Sequence, residues 1–92
     1  MHSETEIRRR RLRFRAWHRG IREMDLLMGG FADARLQGLD ERELGLFEEL
    51  LELPDQEVFT WLTGQAPVPK DHDTSLFRQL KSFYDHARPL HV

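Results

Sequence analysis

Apolar positions recur at three- and four-residue steps along most of this chain, and no stretch alternates with the two-residue period of a half-buried strand. Five short helices are predicted. The first spans about Glu4 to His18, with Ile7, Phe14 and Trp17 on one side. Ile21, at the junction that follows, continues that stripe, whereas Leu12 and Ala16 fall elsewhere on the wheel. The second helix begins near Gly20 or Ile21 and carries Met24, Leu27, Met28, Phe31 and Ala34. Gly29 and Gly30 interrupt it at roughly 1 kcal/mol each relative to alanine, so either the helix bends there or another element packs close.

Gly38, Leu39 and Asp40 form the next break, with Asp40 as N-cap and Glu43 completing a capping-box pair. The third helix is expected to run to about Leu53, presenting Leu44, Phe47 and Leu51, widened by Leu46 and Leu50. Pro54 suits the first turn of a fourth helix, which carries Val58, Phe59, Trp61 and Leu62 and ends at Gly64. Gln65 to Asp73, with Pro67 and Pro69, reads as a loop. A last helix from about Thr74 shows Leu76, Phe77, Leu80, Phe83, Tyr84 and Ala87 before Pro89 stops it. Such stripes can be buried only against one another, which predicts an all-α, compact, single-domain bundle of five short helices over residues 1–92.

Length sharpens this picture. A 92-residue chain makes one domain and buries about 60 to 65% of its unfolded surface, leaving little room for an internal active site. The absence of cysteine removes disulfides, thiolate metal sites and cysteine nucleophiles. No apolar run approaches the roughly 20 residues that span a bilayer, so the chain is expected to be soluble. Its arginine-rich start lacks the apolar centre of a secretory signal, and it runs into the helical pattern without a break, so it is expected to belong to the mature domain.

The formal net charge of −2 hides an uneven distribution. Residues 1–22 hold eight arginines against two glutamates, residues 23–57 hold eleven acids against Arg35 and Arg42, and the remainder is nearly balanced. This asymmetry suggests an interaction surface or two segments that neutralise each other. The arginine run wraps most of the first helix, which suits a phosphate backbone, but no nucleic-acid motif accompanies it and the whole chain is mildly acidic. His2, His18, His72, His86 and His91 contain no i, i+4 pair and read as solvated, as does the Glu48, Glu49 and Glu52 face. No catalytic or metal constellation emerges.

The most informative stretch is Arg19-Gly20-Ile21-Arg22-Glu23-Met24-Asp25-Leu26. Gly20 stands where one helix stops and the next starts, either as a C′ residue with positive φ or as a poor N-cap. In the second case Glu23 is at N3, where its carboxylate meets free backbone N–H groups and the positive end of the helix dipole.

Arg19-Gly20-Ile21-Arg22-Glu23 resembles the R-G-x-x-E motif of the succinate dehydrogenase assembly factor family. The likeness continues through Met24-Asp25-Leu26, Phe31, Phe47, Leu50-Leu51-Glu52, Pro54-Asp55 and Val58-Phe59-Thr60-Trp61-Leu62, and covers about Arg13 to Leu62. After Gly64 it is less clear. The resemblance implies a five-helix, non-enzymatic assembly factor that binds the flavoprotein subunit of succinate dehydrogenase, and in some bacteria that of fumarate reductase. It would promote covalent attachment of FAD, through its 8α-methyl carbon, to a histidine of that subunit. Gly20 and Glu23, then Arg19, with Arg22 as neighbour at a variable position, are the partner-binding residues it implies. No cofactor is expected to be bound stably by this chain, FAD being handled in the partner, and no catalytic or metal residue is assigned. A monomer when free, without membrane insertion, in a bacterial cytoplasm in preference to a mitochondrial matrix, completes the expectation. The alternative is a small nucleic-acid-associated or antitoxin-like regulator using the arginine-rich first helix.

Overall fold

The computed structural model describes residues 3–87. Helix α1 (Glu4–Trp17) starts at Ser3, whose Oγ accepts from the Glu6 amide, with Glu4 and Glu6 in the first turn, near the positive end of the dipole. Helix α2 (Arg22–Arg35) passes into a single 3-10 turn, Leu36–Gly38. Helix α3 (Glu41–Glu52) is closed by the predicted capping box: Asp40 Oδ1 accepts from the Glu43 amide at 2.8 Å, and Glu43 Oε1 from the Asp40 amide at 3.0 Å. Helix α4 (Asp55–Leu62) follows almost at once, Pro54 standing at its N-cap rather than inside its first turn. After Gly64, at φ +81°, comes a segment that holds one 3-10 turn at Lys70–His72, and then helix α5 (Ser75–Ala87). Its start is capped by Thr74, whose Oγ1 accepts from the Phe77 amide. Pro89, the expected stop, lies outside the described residues, and no strand occurs among those described.

All five helices contribute to one core, and the chain's radius of gyration, 12.7 Å, is close to the roughly 12 Å expected of a folded domain this long. Phe31 sits at the centre, fully buried, with its ring 5.6 Å from Phe47 and edge-on to Phe83 at 5.7 Å. The same core cluster holds Met24, Leu27 and Met28 of α2, Leu44 and Leu51 of α3, Leu62 of α4 and Leu76 and Leu80 of α5. Ala34, expected on this stripe, is exposed, and Ala32 is buried instead. The segment from Gln65 to Asp73 is more than a solvated loop: Ala66 and Val68 pack on the core, and the His72 ring stacks on Trp61 at 5.5 Å.

Helix α1 departs most from the sequence pattern. Leu12 and Ala16 are its buried residues, while Ile7 and Phe14 are 39% and 64% exposed. The reason lies in the arginines beside the true seam. Arg8, Arg9 and Arg15 bond to groups on the neighbouring elements, so that polar ties flank a narrow apolar contact that a count of hydrophobic residues does not register. Trp17 is half-buried for a different reason. Its indole lies across Gly29 so closely that a Cβ at that position would overlap the ring, and its Nε1 donates to Asp33 at 3.3 Å. Close packing, the second of the two options raised by Gly29-Gly30, is therefore what the first of these glycines provides.

Candidate docking site at the junction of α1 and α2

Helix α1 ends at His18, and α2 starts after an N-cap at Ile21, leaving Arg19 and Gly20 to turn the chain. Gly20 has φ +102°, a conformation L side chains rarely adopt. It is exposed, and a Cβ built on it meets nothing within 4 Å. The positive φ is as expected, but neither expected position holds: with His18 as the C-cap of α1, Gly20 falls one residue past C′, and Ile21, not Gly20, is the N-cap of α2. With Ile21 as N-cap, Glu23 falls at N2 rather than N3, still within the positive first turn of α2.

No side chain caps α2 at Ile21. Instead, the Asp25 carboxylate folds back and accepts from two turn amides, Arg19 N and, at 3.2 Å, Gly20 N. The Arg19 guanidinium points away from solvent: Nε donates to Asp55 Oδ1 at 2.8 Å, and Nη2 donates to the Leu53 carbonyl at 3.2 Å while lying 2.8 Å from the same Asp55 oxygen. The side chains of this pair are only 13% and 11% exposed.

The four predicted residues thus share one turn but play different physical parts. Arg19 is engaged inside the fold. Arg22 is exposed and Glu23 half-buried, and neither makes a hydrogen bond or ion pair among the described residues. Glu23 borders a shallow groove completed by Ile21 on its own side and by Gln56, Phe59, Thr60 and Gln65 from α4 and the segment after it. Composition alone singled out neither this groove nor the roles of Asp25 and Asp55. The only available signal was that both acids sit just after helix starts, where a carboxylate can turn back to backbone N–H groups.

The arginine-rich segment and the acidic one largely neutralise each other. Arg8 pairs with Glu41 at 2.9 Å and Glu48 at 3.0 Å, Arg15 with Glu52 at 2.6 Å, and Arg13 with Asp33 at 3.5 Å. Arg9 donates to the carbonyls of Leu36 and Leu39. The hydrogen bond to Glu48, opposed by partial desolvation and reinforced by the charges of Glu48 and Glu41, raises the pKa of Arg8 above its already high ordinary value. Glu48 and Glu52 are accordingly ion-pair partners rather than a purely solvated face. Among the described residues no group of three or more histidines or acids is placed to hold a metal ion.

The described histidines are each engaged locally. His18 stacks on Phe14 at 4.0 Å, and its Nδ1 lies 2.6 Å from the Phe14 carbonyl, which can only accept, so this nitrogen carries the proton. His86 Nδ1 is likewise 2.7 Å from the Ser82 carbonyl. His72, half-buried on Trp61, departs from the solvated expectation, and His2 and His91 lie outside the described residues.

Comparison with known proteins adds an independent finding. A family model described as flavinator of succinate dehydrogenase matches residues 10–84, which contain the turn, the groove and the whole core. The chain is 45% identical over 73 residues to a protein of Acetobacter pasteurianus named FAD assembly factor SdhE, a match covering 79% of this chain and 67% of that one. It is 36% identical over 76 residues to the mitochondrial succinate dehydrogenase assembly factor 2 of Dictyostelium discoideum, covering 83% and 54% of the two chains. With the corresponding protein of Culex quinquefasciatus the identity is 33% over 89 residues, covering 94% and 56%. The chain therefore spans about half the length of these mitochondrial relatives. On the match across its folded core and its α1–α2 turn, the chain belongs to the succinate dehydrogenase flavinator family.

Proposed function

We propose that this domain binds the flavoprotein subunit of succinate dehydrogenase and promotes covalent attachment of FAD to it, without catalysing the linkage itself. The family match over residues 10–84 carries this reading. The exposed turn supports it: Gly20 leaves open space for another backbone to approach, and beside it Glu23 offers a carboxylate that nothing else in the described fold uses. Arg22 stands next to both as an exposed cation.

The mechanism follows from differential binding. Flavin linkage needs the flavin, the acceptor histidine and the dicarboxylate site of the flavoprotein to be aligned. A factor that binds the aligned arrangement better by about 1.4 kcal/mol enriches it tenfold, which is within reach of a small surface with one specific charged contact. FAD is then cargo of the partner and not a resident cofactor of this domain. The flavoprotein of fumarate reductase is a second partner of the same chemistry. The free domain acts as a monomer in a bacterial cytoplasm, a compartment favoured by the higher identity to the bacterial relative. No described helix is long and apolar enough to cross a membrane.

Co-expression with a succinate dehydrogenase flavoprotein, with and without this chain, tests the proposal through protein-bound flavin fluorescence on a denaturing gel. More bound flavin with the chain present is expected, and an unchanged signal refutes the reading.

A further inference from the structure

We propose that Arg19 does not touch the partner but is a positioning residue, which with Asp55 and Asp25 sets the width of the groove beside Glu23. This inference rests on the docking role given to that turn. Three observations carry it. First, the guanidinium is directed into the fold, onto a carboxylate as sheltered as itself, so turning outward would strand Asp55 without its charge partner. Second, its two donors, Nε and Nη2, meet the carboxylate that opens α4 and the carbonyl of Leu53, the C-cap of α3. One side chain thereby ties the α1–α2 turn to the place where α3 hands over to α4. Third, the groove has its walls on the two bodies so joined. Ile21 and Glu23 belong to the start of α2, and Gln56, Phe59 and Thr60 belong to α4 directly after Asp55.

Asp25 completes the clamp from the backbone side. Its carboxylate holds the amides of Arg19 and Gly20, fixing the turn in the conformation that places Gly20 at positive φ and Glu23 at the groove edge. Gly20 and Glu23 then face the partner, while Arg19, Asp25 and Asp55 hold them in register.

The test is a cycle of Arg19→Gln, Asp55→Asn and the double variant in the full chain, measuring affinity for the purified flavoprotein, far-UV circular dichroism, and amide exchange of the free chain. Each single variant is expected to weaken binding by about tenfold or more, corresponding to 1.4 kcal/mol. The double variant should be no weaker than either single. Helix content should stay unchanged, and exchange should quicken at the turn and at the start of α4 but not in the core. The swap Arg19→Asp with Asp55→Arg should recover part of the binding, since it restores the ion pair and not the original surface. Unchanged binding in Asp55→Asn beside a loss in Arg19→Gln would show that Arg19 meets the partner directly, overturning the proposal. If Asp55→Asn does not fold, Arg19→Lys provides the comparison: it keeps the charge but loses the two-pronged geometry. Weakened binding in that folded variant supports the clamp, and full binding overturns it. A wild-type chain that fails to bind any flavoprotein would refute the docking role itself. The exchange pattern of the free variants would still judge the clamp, and unaltered exchange at the turn would overturn it.

Discussion

Replacing Gly20 by alanine and, separately, by arginine distinguishes what this glycine does for the fold from what it does for a partner. At φ +102° any L side chain pays backbone strain, about 1 to 2 kcal/mol. Nothing lies within 4 Å of a Cβ at this position, so the longer side chain adds no clash inside the domain. Both variants should therefore lose the same stability, a drop in melting temperature of roughly 4 to 16 °C for a domain of this size. Binding should not fall equally. Alanine adds one methyl group to the approach surface and should retain part of the affinity, whereas arginine fills the space a docking backbone would use and should abolish it. Thermal melts followed at 222 nm, with binding to the flavoprotein measured well below both transitions, provide the comparison. A melting temperature much lower for arginine than for alanine would mean that the space beside Gly20 is not open. Equal binding by the two variants would mean that close approach at Gly20 plays no part in docking.

Other consequences follow from the same geometry. Gly29→Ala should drive the Trp17 indole out of its seat, costing about 1 to 3 kcal/mol through overpacking and red-shifting tryptophan emission. Gly30→Ala, one residue on, would make ordinary contact with Phe83 at 3.6 Å and should stabilise α2 by roughly 0.5 to 1 kcal/mol; denaturant melts of the two variants should move in opposite directions. Because Arg8, Arg9, Arg13, Arg15 and Arg19 are taken up by partners within the fold, labelled duplex DNA or RNA should show no salt-sensitive binding by fluorescence anisotropy even at roughly 50 mM salt. Tight binding that weakens steeply with salt would contradict this account of the basic segment.

The helices α2 to α5 were legible in the sequence because their apolar residues alone draw the buried face, as Met24, Leu27, Met28 and Phe31 do for α2. The capping box of Asp40 and Glu43 was legible because it is a local rule at fixed spacing. The extent of helix α1 was legible too, but its buried face was misread. Its seam is Leu12 and Ala16 flanked by arginines, and counting arginine as polar turned attention to the exposed Ile7 and Phe14. For the α1–α2 turn, the four residues could be named together through their resemblance to the R-G-x-x-E motif, but not sorted. Arg19 and Arg22 look alike in sequence. Only the placement of Asp55 and of the Leu53 carbonyl, more than thirty residues further on, makes one an internal tie and leaves the other in solvent. Long-range pairing of this kind leaves no periodic trace. Nor does a groove whose walls come from α2 and α4, since each wall by itself reads as part of a stripe.

The central claim is that the domain makes another protein's flavin linkage more efficient through its α1–α2 turn. Its most direct test uses purified flavoprotein lacking covalent flavin, FAD and an equimolar amount of this chain, with covalent flavin followed over time on denaturing gels. Linkage should proceed faster with the wild-type chain than without it, and no faster with the folded Gly20→Arg variant. Equal rates with and without the wild-type chain would contradict the claim.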